Sequence, residues 1–255
     1  MSRKIPWIGT SWKMNKLRGE AQTFARELGA SSVAQMQSCQ PFIIPPFPYI
    51  AEVAKILSAT KVKIGAQNMH WADHGAWTGE LSPLMIKDCG ASLVEIGHSE
   101  RRTHFGETDE TVALKTHAAI KHGLTALVCI GDTKAEFDAG QTAQVLERQV
   151  SGLLKYVSED AVGNVMIAYE PVWSIGEGGI PATPEFANEQ HIKIAALVKA
   201  ITGGAVPLLY GGSVNQKNCV ALASQSAIDG LFVGRAAWDV KGYIAIVNSV
   251  VKAMR

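Results

Sequence analysis

Eight short apolar runs recur along the chain, near residues 6–12, 41–45, 62–67, 92–97, 125–130, 165–169, 206–210 and 230–234. Each is followed by a polar or glycine-containing turn and then by residues with helical spacing, as at 17–29, 50–58, 108–122, 134–157, 184–202 and 216–223. Apolar runs without polar alternation mark strands buried on both faces, the pattern of a parallel sheet covered by helices. Eight such units in 255 residues fit a closed α/β architecture, the (β/α)8 barrel. A doubly wound open sheet is the alternative, but no dinucleotide glycine fingerprint follows the first run. No linker, repeat or low-complexity stretch breaks the alternation, so residues 1–255 are expected to form a single barrel domain.

In a barrel of this kind chemistry sits where the strands end, in the loops that lead to the helices. The sixth run, Val165 to Tyr169, ends on Glu170; Pro171 then sets the exit angle, and Gly176, Gly178 and Gly179 make a glycine-rich tip. Thr183-Pro184-Glu185 begins the next helix with an N-cap and a first-position proline. A carboxylate under a loop able to close is what proton abstraction in a water-excluded site requires. After the first run stands Lys13, placed to hold a substrate anion and offset charge that grows in a transition state. After the fourth stand His98, Ser99 and Glu100. With Ser99 as N-cap, His98 faces a helix N-terminus whose partial positive charge keeps the imidazole neutral, so that its N–H can polarise a carbonyl. Glu100 either pairs with Lys13 or caps the helix. After the seventh and eighth runs come Gly211-Gly212-Ser213 and Gly234-Arg235, at the two loops that commonly make a phosphate site in such barrels.

The remaining features narrow the class. A net charge of +1 gives no case for nucleic acid, a membrane surface or a polyanionic partner. Cys39, Cys89, Cys129 and Cys219 are widely spaced, without a C-x-x-C pair, and form neither a zinc framework nor a disulfide scaffold. The N-terminal MSRKIPWIGT lacks the apolar core of a signal peptide, and no run of 18 apolar residues occurs, so a soluble, cytoplasmic protein is expected. Pro45-Pro46-Phe47-Pro48 reads as a rigid loop inside the barrel period. The third loop, Gln67 to Glu80, carries His70 and His74 four apart, but in non-helical sequence that does not favour a metal site. Its Trp71 and Trp77 suit contact with a partner subunit, and a homodimer is expected.

The motifs WKMN at 12–15, AQN at 66–68, TGE at 78–80, GHSERR at 97–102, AYEPVW at 168–173 and YGGSV at 210–214 resemble the triosephosphate isomerase family in order and spacing, over essentially the whole chain. The resemblance implies a barrel enzyme, usually a homodimer, that isomerises a small phosphorylated sugar with no cofactor and no metal. It implies Lys13 as the electrostatic group, His98 as the electrophile and Glu170 as the base. Gly176, Ser213 and Gly234 would hold the phosphate through backbone groups, and Thr78 would reach the other subunit's site.

The departures are informative. Where that family normally has Asn, this chain has Ser11, directly beside the lysine motif. The lid reads Ser174-Ile175-Gly176-Glu177-Gly178-Gly179-Ile180-Pro181 where the family usually has AIGTG. The second of two consecutive glycines in the last loop is Arg235, expected to restrict φ and bring a bulky cation near the phosphate, and Trp77 stands where Phe is usual. Sequence drift and an altered substrate both account for such changes. With GTSWKMN, QNMHWADHGAWTGE and GRAAW, the chain resembles the branch that isomerises L-erythrulose 1-phosphate to D-erythrulose 4-phosphate in tetritol breakdown. The alternative is an ordinary triosephosphate isomerase, interconverting dihydroxyacetone phosphate and D-glyceraldehyde 3-phosphate.

Overall fold

The computed structural model describes residues 5–176 and 178–254. Residues 1–4 of the N-terminal segment and Glu177 of the lid lie outside the described residues. Eight parallel strands close into a barrel in chain order: β1 (Trp7–Ser11), β2 (Gln40–Ile44), β3 (Lys63–Ala66), β4 (Leu93–Ile96), β5 (Thr125–Ile130), β6 (Val165–Tyr169), β7 (Leu208–Tyr210) and β8 (Gly230–Val233). The register carries β1 onto both β2 and β8, with Gly9 opposite Phe42 on one side and Phe232 on the other. All eight runs read from the sequence are strands, displaced by at most two residues at an end.

Because successive strand residues point to opposite faces, each run feeds two cores. One face fills the barrel lumen with Phe42, Ile44, Leu93, Leu127, Met166, Leu209 and Phe232. The other packs Ile8, Ile43, Val94, Val128 and Ile167 against the surrounding helices. Burial on both faces removes the need for polar alternation, which is why the strands read as unbroken apolar runs.

Two helix assignments change. The segment 134–157 is two helices, Lys134–Asp138 and Thr142–Leu154, because Gly140 takes φ +69° and ends the first. The segment 216–223 is helical only over Cys219–Ala223, because Asn215 and Asn218 fold the preceding turn: Asn215 N–H donates to Asn218 Oδ1 at 2.8 Å. Among the described residues no helix is long and apolar enough to cross a membrane.

Candidate active site

The strand ends β1, β4, β6, β7 and β8 open on one cavity of about 370 Å³. Ser11, Lys13, His98, Glu170, Gly176, Ser213, Gly234 and Arg235 all line it, as does Glu95. The sequence-expected residues therefore converge, with two exceptions. Glu100 stands beside the cavity and acts on Lys13, and Thr78 lies exposed at the tip of the third loop.

Glu170 follows β6 directly, and its N–H is tied to the Ile130 carbonyl at 2.8 Å, so the side chain continues the lumen-facing alternation above Met166 and Ala168. Burial, reinforced by the charge of Glu95, pushes its carboxyl up to about 8. The Cys129 thiol donates to it, whereas Oε2 has no hydrogen-bond partner and faces His98 Nε2 across 3.5 Å. A buried carboxylate oxygen without a donor is an acceptor held ready for a proton.

His98 is itself the N-cap of the Ser99–His104 helix, and Ser99 is the first helical residue rather than the cap. The reason is in the ring. Glu100 N–H donates to His98 Nδ1 at 3.1 Å, so the imidazole does the work expected of the Ser99 hydroxyl. An Nδ1 that accepts leaves the proton on Nε2, which lies 3.5 Å from Glu170 Oε2 without forming a hydrogen bond to it. Burial, with the Lys13 charge, holds the imidazole pKa well below its ordinary value, so the ring is neutral.

Lys13 Nζ donates to Glu100 Oε1 at 2.6 Å, so of the two readings of Glu100 the ion pair holds. Burial lowers the lysine pKa, but the Glu100 hydrogen bond and charge outweigh it and the ammonium is retained. Lys13 sits at φ +53°, one of two described non-glycine residues with positive φ. Such backbone costs about 1–3 kcal/mol and persists only where neighbours impose it. Here Gln67 donates to the Lys13 carbonyl at 2.9 Å and Asn15 to the Trp12 carbonyl at 2.8 Å.

The loop after β6 is pinned at its start and open at its tip. Val172 N–H donates to the Asp132 carbonyl at 2.9 Å, and Ser174 closes a turn on Pro171. Trp173 packs on Phe137 with ring centroids 4.4 Å apart. Gly176 and Gly178 then take φ +84° and +81°, and a Cβ at either would meet nothing within 4 Å. Gly211 and Gly212 have a different role, close approach. A Cβ on Gly211 would lie 2.6 Å from Glu170 Cγ, and one on Gly212 would lie 2.2 Å from the Tyr210 hydroxyl oxygen. Arg235 opens a short 3-10 turn after Gly234 and is not among the positive-φ residues, so the restricted φ expected of an arginine there is no obstacle.

Several participants were not singled out from sequence. Glu95 is buried in an apolar strand; Trp238 lines the cavity and fixes the first loop by donating from Nε1 to the Ser11 carbonyl at 3.0 Å. Asp132 accepts from Tyr169 and Thr142 under the start of the lid. A charged residue inside an apolar run was the available signal for Glu95. In the third loop, His70 Nδ1 accepts from Ala72 N–H and the ring stacks on Trp71 at 4.0 Å, while Trp77 remains 52% exposed.

Residues 6–250 match the family described as triosephosphate isomerase. A protein named L-erythrulose-1-phosphate isomerase from Rhizobium meliloti (strain 1021) is 54% identical, with all of both chains covered. One of the same name from Brucella abortus (strain 2308) is 54% identical over 94% of each chain. Another, from Mesorhizobium japonicum (strain LMG 29417 / CECT 9101 / MAFF 303099), is 52% identical over 96% of this chain and 97% of its own.

Proposed function

The chain belongs to the triosephosphate isomerase family and is a sugar-phosphate isomerase, and from that premise we propose that it interconverts L-erythrulose 1-phosphate and D-erythrulose 4-phosphate through an enediolate. The substrate is carried over from the names of relatives that match at 52–54% identity along nearly the whole chain. The observation that supports the reaction class is the pairing of an unpartnered Glu170 oxygen with a neutral His98 N–H across 3.5 Å, beside a lysine held by Glu100. In triosephosphate isomerases a carboxylate base likewise works beside a neutral histidine.

The α-hydrogen of a hydroxyketone is too weakly acidic for an unaided carboxylate. Glu170 removes it from the carbinol carbon next to the carbonyl, and electron density moves onto the carbonyl oxygen. His98 donates its Nε2 hydrogen to the enediolate oxygens and Lys13 offsets their charge. The proton then returns to the former carbonyl carbon, the carbonyl forms on its neighbour, and no net oxidation occurs. Ionised Glu170 is the stronger base for being buried, since the shift to about 8 raises its affinity for the proton.

Backbone groups of Gly176, Ser213 and Gly234 take the phosphate, with Arg235 beside them on the cavity wall. Closure of the lid, hinged after the Asp132 anchor, excludes water and guards the enediolate against phosphate loss. The protein acts as a homodimer in the cytoplasm, with Thr78 reaching the partner's site. The exposed Met14 and Trp77 and the four free cysteines are in keeping with this.

The reaction is tested by incubating purified protein with L-erythrulose 1-phosphate in D₂O and following it by NMR. Formation of D-erythrulose 4-phosphate carrying deuterium on the carbinol carbon beside its phosphomethyl group is expected. Tetrulose phosphate recovered unchanged, alongside turnover of triose phosphate, would refute the substrate.

A further inference from the structure

We propose that Glu95 and Ser11 together form the specificity site for the terminal hydroxymethyl group of the tetrulose phosphate, an inference that rests on the substrate reading above. Glu95 lies two residues after Leu93 on β4 and therefore shares its face, the barrel lumen. It is 3% exposed and stands among apolar lumen residues, where a leucine or methionine would pack without cost. Neither packing nor the proposed proton transfer calls for a second carboxylate here. Its charge even opposes ionisation of the base, since it pushes Glu170 upward.

The partners that Glu95 does have leave acceptor capacity. The Ser11 hydroxyl donates to it, and Lys13 attracts it from a distance while bonding Glu100 at 2.6 Å. A carboxylate has about four acceptor positions, and one serine fills one of them. Glu95 and Ser11 both line the cavity that holds Lys13, His98 and Glu170.

Position selects the part of the substrate. The barrel closes in chain order, so β4 stands opposite β8 across the mouth. With the phosphate over Gly176, Ser213 and Gly234, after β6, β7 and β8, the carbon chain runs across the mouth toward β4, past Ser11 at the end of β1, which adjoins β8. Triose phosphate ends at the carbon that loses its proton. The tetrulose carries one further carbon, with an O–H that needs an acceptor. Ser11 is shorter than the Asn usual in the family and supplies both the room and a hydroxyl. A site built to hydrogen-bond a hydroxyl rejects the analogue that lacks it, because its own polar groups are then left unpaired.

The test measures kcat/KM of full-length wild type, Glu95→Leu, Glu95→Gln and Ser11→Asn on L-erythrulose 1-phosphate and on dihydroxyacetone phosphate. The tetrulose-to-triose ratio should fall ~10²-fold in Glu95→Leu and roughly tenfold in Ser11→Asn, with Glu95→Gln, which keeps an acceptor, in between. Wild type should also lose ~10²-fold on the 4-deoxy tetrulose phosphate, and Glu95→Leu should hardly distinguish the two tetruloses. Proportional losses on both substrates, or an unchanged ratio, would overturn the proposal. If Glu95→Leu does not fold by thermal unfolding, Glu95→Gln and Ser11→Asn decide by the same ratio. Wild type that turns over only the triose phosphate defeats the substrate reading and this inference with it. Tetrulose turnover with an unshifted ratio defeats this inference alone.

Discussion

Replacing Gly211 by alanine should disable the protein while leaving its fold intact. The residue follows β7, its N–H donates to the Tyr169 carbonyl at 2.8 Å, and its φ lies in the range that any residue adopts. Alanine is therefore allowed by the backbone, and a folding defect is not expected from strain. The added Cβ, however, would lie 2.6 Å from Glu170 Cγ and 2.9 Å from its Oε1, where ordinary contact begins at 3.4 Å. The carboxylate must retreat by about 0.8 Å or more, and a misplacement of about 1 Å at a reacting group costs on the order of 10²-fold in rate. Because the phosphate is assigned to Gly176, Ser213 and Gly234 rather than to Gly211, the loss should fall on kcat, with KM within about threefold. The assay is steady-state kinetics on L-erythrulose 1-phosphate with Tm measured alongside. A folded Gly211→Ala protein with wild-type kcat would show that the position of Glu170 does not set the rate.

Four further outcomes are expected. Glu170→Gln should lower kcat by ~10²–10⁴-fold in the same assay, as loss of a general base does. The acidic limb of kcat/KM should reflect Glu170, pushed to about 8 by burial and Glu95: activity rises with pH to that value, and Glu95→Gln moves the limb to lower pH. A limb near the ordinary 4.5 would contradict this environment. Glu170 and Glu95 both titrate above 4.5 in the fold, at about 8 and about 7, so their contribution to stability is complete below 4.5 and is lost as pH rises through those values. Tm should accordingly decline from about pH 5 to 8, and less steeply in Glu170→Gln, where the buried charge is absent. Sedimentation should give twice the monomer mass, and Trp77→Asp, which charges a half-exposed indole, should shift the equilibrium toward monomer.

The barrel was legible because burial on both faces makes each strand an unbroken apolar run, and eight such runs leave few architectures. The catalytic loops were legible because Lys13, His98 and Glu170 fall at strand ends, where a barrel places its chemistry. Less was visible where one side chain substitutes for another's local task. His98 caps its own helix, and spacing alone favoured the Ser99 hydroxyl for that. Gly140 split a continuous helical pattern because φ +69° is a property of one residue rather than of a period. Asp132 and Trp238 act through contacts 41 and 227 residues away in the chain, to Trp173 and Ser11, which no local pattern reports. Glu95 could be read as a strand residue but not as a cavity residue, since its face depends on register within the barrel. The reverse holds at Gly211 and Gly212, which looked like a phosphate turn and also turn out to make room for Glu170 and Tyr210.

The central claim is the substrate, and it is met most directly by comparing kcat/KM of the purified wild-type protein on L-erythrulose 1-phosphate and on D-glyceraldehyde 3-phosphate. The account predicts a preference for the tetrulose of ~10²-fold or more, the discrimination available to a site that hydrogen-bonds an extra hydroxyl. A preference for the triose would contradict it, and would make Ser11 and Arg235 drift within an ordinary triosephosphate isomerase.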